Sequence, residues 1–101
     1  MEQQQSSSST SIRFRKRKPP FYDVIIHNDD YTTMDFVVMI LKTIFNKSHD
    51  EAMQLMLFVH ENGEAIAGTY IYDIAQSKAD KATSLARAEG FPLQLTVNKK
   101  I

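Results

Sequence analysis

The stretch Val24-Ile25-Ile26-His27-Asn28-Asp29-Asp30-Tyr31-Thr32-Thr33-Met34-Asp35-Phe36-Val37 changes character twice. Its first part, continued upstream to Phe21, is dense in β-branched and aromatic residues, the composition of a strand. Asn28-Asp29-Asp30 then supplies short polar side chains that favour a turn. Beyond them Thr32 or Thr33 can cap a helix, and Asp35 is spaced to complete a T-x-x-D box with Thr32. Phe36, Val37, Ile40, Leu41, Ile44 and Phe45 follow at helical spacing and predict one buried stripe.

The rest of the chain extends the same alternation. Asn46 and Lys47 break the pattern, and Ser48-His49-Asp50-Glu51 reads as a capping box opening a second helix. Ala52, Leu55, Met56 and Val59 are its predicted buried positions, with His60 next on that side, and Asn62-Gly63 ends it. Ala65 to Ile71 reads as a second strand. A third helix is expected from about Tyr72 to Glu89, burying Ile74, Ala75, Ala79, Ala82, Leu85 and Ala86, until Gly90 and Pro92 stop it. Leu93, Leu95 and Val97 alternate with polar residues as a last strand. The order is β-α-α-β-α-β. Three short strands cannot bury both faces, so the expectation is an α+β fold, a small three-stranded antiparallel sheet with three helices on one face.

The 101 residues leave room for one core, placed at residues 21–101. Lys+Arg 12 against Asp+Glu 12 sum to zero, but unevenly. Residues 1–20 hold Arg13, Arg15, Lys16, Arg17 and Lys18 against Glu2, a net +4, which leaves −4 on the remainder. That segment is too polar to offset its ordering entropy, so a disordered basic extension is expected. Such an arm could neutralise phosphates, and a small nucleic-acid-binding protein is the alternative reading. The acidic body and the lack of an aromatic platform among basic residues speak against it. With no cysteine, disulfides, thiolate nucleophiles and Cys-ligated zinc are out. No apolar run reaches the roughly 18–20 residues of a membrane span, and the start lacks a secretory h-region. A cytoplasmic protein without membrane contact is expected.

No phosphate-binding glycine loop, G-x-S-x-G elbow or H-E-x-x-H pair is present. His27, Asn28, Asp29, Asp30 and His60 are the only cluster with chemical potential. His and carboxylate can ligate zinc, but nothing in their spacing forces convergence, and no activated Ser or Cys accompanies them. No metal, cofactor or catalysis is expected. Taken singly, Asn28-Asp29-Asp30 is a polar turn and His60 a boundary histidine. Taken together with Met34, they would build a pocket acidic at its mouth and apolar at its bottom, where methionine can adapt to several side chains.

The run from Val24 to Val37 resembles the hallmark stretch of ClpS, the adaptor family of ATP-dependent Clp proteases. Gln54-Leu55-Met56-Leu57-Phe58-Val59-His60, the run Gly68 to Lys78, and Ala86-Arg87 with Pro92-Leu93 agree in order and spacing. The likeness covers about residues 20–97. It implies recognition of N-degrons, the N-terminal residues that mark proteins for destruction. By that resemblance Asn28, Asp29 and His60 surround the substrate's α-amino group, with Asp30 close by. The first side chain (Leu, Phe, Tyr or Trp) enters a pocket of Ile26, Thr32, Met34, Val37, Met56, Val59 and Leu93. Met34 matches a gate against β-branched residues.

The chemistry agrees: an α-ammonium carries three donors, and Asn carbonyl and imidazole nitrogen are acceptors. The resemblance further implies that Asp73, Ser77 and Lys78 face the N-terminal domain of a Clp AAA+ unfoldase of the ClpA or ClpC type, and that the protein acts as a monomer. The extension at residues 1–20 would then engage the unfoldase pore. Thr33 departs from the family's usual proline, which predicts a looser gate loop. Tyr72 stands where small residues are common.

Overall fold

A computed structural model describes residues 20–101. The extension expected to be disordered lies, Pro20 apart, outside the described residues. The elements β1 (Phe21–His27), α1 (Met34–Thr43), α2 (His49–Asn62), β2 (Glu64–Ile71), α3 (Tyr72–Ala88) and β3 (Gln94–Lys99) follow in the expected β-α-α-β-α-β order. The strands pair antiparallel in the order β2-β1-β3, so the first strand in sequence is the central one. Alternation along β1 turns Val24 and Ile26, both 0% exposed, toward the core. Ile26 lies opposite Ala65 and Leu95, and Val24 opposite Gly68 and Val97. The β1–β2 register slips between Val24 and Ile25. Ala65 and Ala67 face inward by ordinary alternation, and the bulge shifts the phase beyond them, so that Tyr70 packs against the core and Ile71 is left exposed.

α3 packs against all three strands, and α2 against β2 and α1. The α1 stripe Phe36, Val37, Ile40, Leu41, Ile44 and Phe45 is buried as expected. Its cap is Thr33, whose hydroxyl oxygen accepts from the Phe36 N–H at 3.2 Å. The T-x-x-D box of Thr32 and Asp35 gives way to a competing bond, because the Thr32 hydroxyl donates instead to Asp29 Oδ2 at 2.7 Å. α2 opens on the expected box: Ser48 N–H donates to Glu51 Oε1 at 2.9 Å, and Glu51 N–H to Ser48 Oγ at 3.1 Å. The Ser48 N–H, and after it the Ser48 side chain, hold the Glu51 carboxyl below the usual carboxylate range.

The stripe expected on α3 needs correction. Ala75, Ala79, Ala82 and Ala86 are buried, but Ile74 is 45% and Leu85 38% exposed. Each lies one residue, about 100° of turn, from the alanine ridge. That ridge seats the helix on the sheet through its smallest side chains, and the larger neighbours fall outside the contact. Lys78 on α3 reaches back to α1, donating from Nζ to the Ile44 carbonyl at 2.6 Å and lying 5.2 Å from the centre of the Tyr70 ring. It satisfies one of the carbonyls that the end of α1 leaves without a helical partner. Among the described residues, no helix is long and apolar enough to cross a membrane.

Candidate functional site

A cavity of about 230 Å³ opens where the end of β1, the start of α1 and the last turns of α2 meet. Asn28, Asp29, Asp30 and Thr32, from the turn after β1, form one side. Met34 and Val37 come from the first turn of α1, and Met56, Val59 and His60 from successive turns of α2. Leu93, just before β3 and 1% exposed, closes the bottom. All the pocket and amine-site residues named from the sequence therefore converge, except Ile26. That residue is 0% exposed and does not line the cavity. Alternation along β1 drives its side chain into the core, while His27 borders the cavity in its place.

Backbone chemistry sets these positions. α2 ends in Gly63, whose φ of 95° lies in the left-handed region that glycine adopts without a Cβ clash. The Gly63 carbonyl then accepts from the Asn28 N–H at 2.8 Å. This bond stitches the strand end to the helix end, so Asn28 and His60 reach the same cavity. The C-terminal end of α2 also brings the negative pole of its dipole here.

Asp29 organises the turn. Its Oδ1 accepts from the Tyr31 N–H at 2.8 Å and the Thr32 N–H at 2.7 Å, and its Oδ2 accepts from the Thr32 hydroxyl. Partial burial works against its charge, but these bonds and the Arg87 cation outweigh it and hold the carboxyl below its ordinary range. Asp29 is thus a fixed anion with one oxygen not fully used. Asn28, Asp30 and His60 border the cavity as exposed residues. Thr33 adopts φ −71°, the value a proline ring would impose, with an extended ψ of 152°. The departure from proline exchanges a covalent restraint for the bond to Phe36. Met34 follows at the cavity rim, 46% exposed.

The arrangement suits a cation attached to an apolar group. Acceptors and carboxylates gather at the mouth, and Val37, Met56, Val59 and Leu93 line the depth. The volume lies below the range of about 300–1,000 Å³ that holds drug-sized ligands, which fits a single side chain. No group of three or more His, Asp or Glu side chains that could hold a metal ion occurs among the described residues. His27 instead turns its ring to Thr96 Oγ1 at 2.9 Å and Glu64 at 3.4 Å. On α3, Asp73 and Ser77 are exposed, whereas Lys78 is half-buried and engaged with Ile44.

Comparison with known proteins places these features in a family. Residues 17–96 match the family model described as ATP-dependent Clp protease adaptor protein ClpS. An ATP-dependent Clp protease adapter protein ClpS of Desulforapulum autotrophicum is 44% identical, over 92% of this chain and 89% of its own length. That of Clostridium acetobutylicum is 50% identical over 81% of each chain. The fold matches Agrobacterium tumefaciens ClpS2 bound to L-phenylalaninamide with a TM-score of 0.80 and 38% identity, covering 82% of this chain and all of that one.

Proposed function

The chain belongs to the ClpS family of adaptor proteins of ATP-dependent Clp proteases, and from that premise we propose that it binds N-degrons. Its substrates are proteins with a free α-amino group on an N-terminal Leu, Phe, Tyr or Trp, which it hands to a Clp AAA+ unfoldase. The observation that carries this reading is one cavity with two chemistries: Asn28, Asp29, Asp30 and His60 at the mouth, and Met34, Val37, Met56, Val59 and Leu93 along the walls and bottom. The Agrobacterium relative was bound to L-phenylalaninamide, a molecule that joins a free amine to a phenyl side chain, and this supports the same division of labour here.

The two halves discriminate together. An α-amino group has a pKa of about 7.7–8.0, so near neutral pH it is mostly cationic. The fixed charge of Asp29 and the acceptors of Asn28 and His60 replace its water shell. Burial of a large apolar side chain contributes roughly 1.5–3 kcal/mol. Met34, at the rim, meets the ligand beside its backbone, where a β-branched residue is widest. The adaptor binds without breaking a bond. Asp73, Ser77 and Lys78 on α3 form the face toward the unfoldase's N-terminal domain, with Asp73 and Ser77 exposed for contact. A cytoplasmic monomer suffices, since one chain supplies every residue of the cavity.

Acetylating the peptide N-terminus removes the charge, and each charge-assisted bond contributes about 1.5–3 kcal/mol. A Phe-first peptide should lose at least tenfold in affinity when acetylated, measured by fluorescence polarisation. Equal binding of the free and acetylated peptides rules the reading out.

A further inference from the structure

Arg87 lies in the last turn of α3 and does not line the cavity. Its Nη1 donates to two carbonyls beyond the helix, Phe91 O and Leu93 O, both at 2.8 Å. The segment it holds has no regular structure of its own. Gly90, at φ 77°, turns the chain back, and the Gly90 and Phe91 N–H groups donate to Arg87 O and Ala86 O at 3.0 and 2.9 Å. Pro92 has no N–H to offer. The Arg87 guanidinium therefore holds the carbonyl side of a segment whose amide side is already tied to α3.

That segment delivers Leu93 to the bottom of the cavity. It also seats the Phe91 ring edge-on against Phe36, 5.1 Å between centres, and Phe36 directly precedes the lining residue Val37. From the other side, the charge of Arg87 favours ionised Asp29 at the cavity mouth. One side chain outside the cavity thus bears on both of its ends.

We infer that Arg87 is a positioning residue of the site: by clamping the Phe91 and Leu93 carbonyls it fixes the cavity bottom and so sets which first side chains fit. The inference rests on the N-degron reading above. An aromatic side chain reaches deeper than Leu, so a bottom that is no longer held costs Phe more than Leu. Lysine retains the charge, but its ammonium ends one bond short of the Nη1 that makes both contacts, so it cannot hold the two carbonyls in the same place. Arg87→Lys should therefore keep the amine dependence and lose the depth selectivity.

The test measures affinities of peptides that differ only in a first Phe or Leu, free and acetylated, for the wild type, Arg87→Met and Arg87→Lys, with thermal denaturation of each. Arg87→Met should lose about tenfold for Phe and no more than about twofold for Leu. Arg87→Lys should show the same fall in the Phe-to-Leu ratio while still preferring the free amine as strongly as the wild type. Variants that melt earlier yet keep the wild-type ratio make Arg87 merely structural and overturn the inference alone. Wild-type protein that binds acetylated and free peptides alike overturns the N-degron reading and the inference with it.

Discussion

The proposed function gives Asp29 a second job beside holding the turn, and a pair of substitutions can separate the two. In Asp29→Asn the carboxamide oxygen can still accept from the Tyr31 and Thr32 N–H groups that now bond Oδ1. The new amide N–H faces the Thr32 hydroxyl, which can accept as well as donate. The turn keeps its bonds and loses its charge. Asp29→Ala removes all three acceptor contacts. Shielded bonds to a charged group contribute about 1.5–3 kcal/mol each, but this turn is largely open to water. After that discount, the alanine variant should lose about 2 kcal/mol of stability and the asparagine variant under about 1 kcal/mol. For the ligand, two unit charges about 4 Å apart attract by about 1 kcal/mol in water and about 4 kcal/mol at an effective dielectric of about 20. A half-open site lies between, so Asp29→Asn should weaken a Phe-first peptide by about 1–3 kcal/mol, roughly five- to 150-fold.

Fluorescence polarisation and urea denaturation on the same preparations give both quantities. Because the folded carboxyl titrates below its ordinary range, its stabilising contribution is complete above the unfolded value of about 3.9. It is lost as pH falls through the lower folded value, and Asp29→Asn should remove that part of the acid profile. An asparagine variant that binds within twofold of the wild type, or that is as unstable as the alanine variant, refutes the separation of roles.

Met34→Ala should widen the rim and lower the ratio of Leu to Val affinity; a misfit of this size is worth about 1–3 kcal/mol, and an unchanged ratio assigns Met34 to packing alone. Lys78→Met removes the ammonium that caps α1 at Ile44 O and lies over Tyr70, so stability should fall by about 1–2 kcal/mol in thermal denaturation. A Lys78→Met protein as stable as the wild type would show that the lysine is free to serve the unfoldase face alone.

Local signals carried most of the fold. The capping box at Ser48 and Glu51, the glycine stop at Gly63 and the stripe on α1 are decided within a few residues of each other, and each formed as the sequence implied. Failures occurred where a distant group chose between near-equal local options. Thr32 could cap α1 until Asp29 engaged its hydroxyl. Ile74 and Leu85 looked like core because they are larger than the alanines beside them, but periodicity names a face and not the depth at which a helix settles. The family resemblance, and not any local pattern, assigns Ile26 to the pocket, and it is fully buried without lining the cavity. Arg87 left no signal of its role, since its partners Phe91 and Leu93 are carbonyls, and every residue type carries one.

The sheet order β2-β1-β3 also fixes when the cavity can exist. The strand made first sits in the middle and cannot be flanked on both sides until the last strand has been synthesised. Leu93, which closes the bottom, arrives about as late. A nascent chain, growing at about 5–20 residues per second, therefore spends most of its synthesis with Asn28 and Met34 already made but no cavity between them. The cavity can therefore close only with the final stretch, and under the proposed function a nascent chain should bind no ligand before Leu93 has been made.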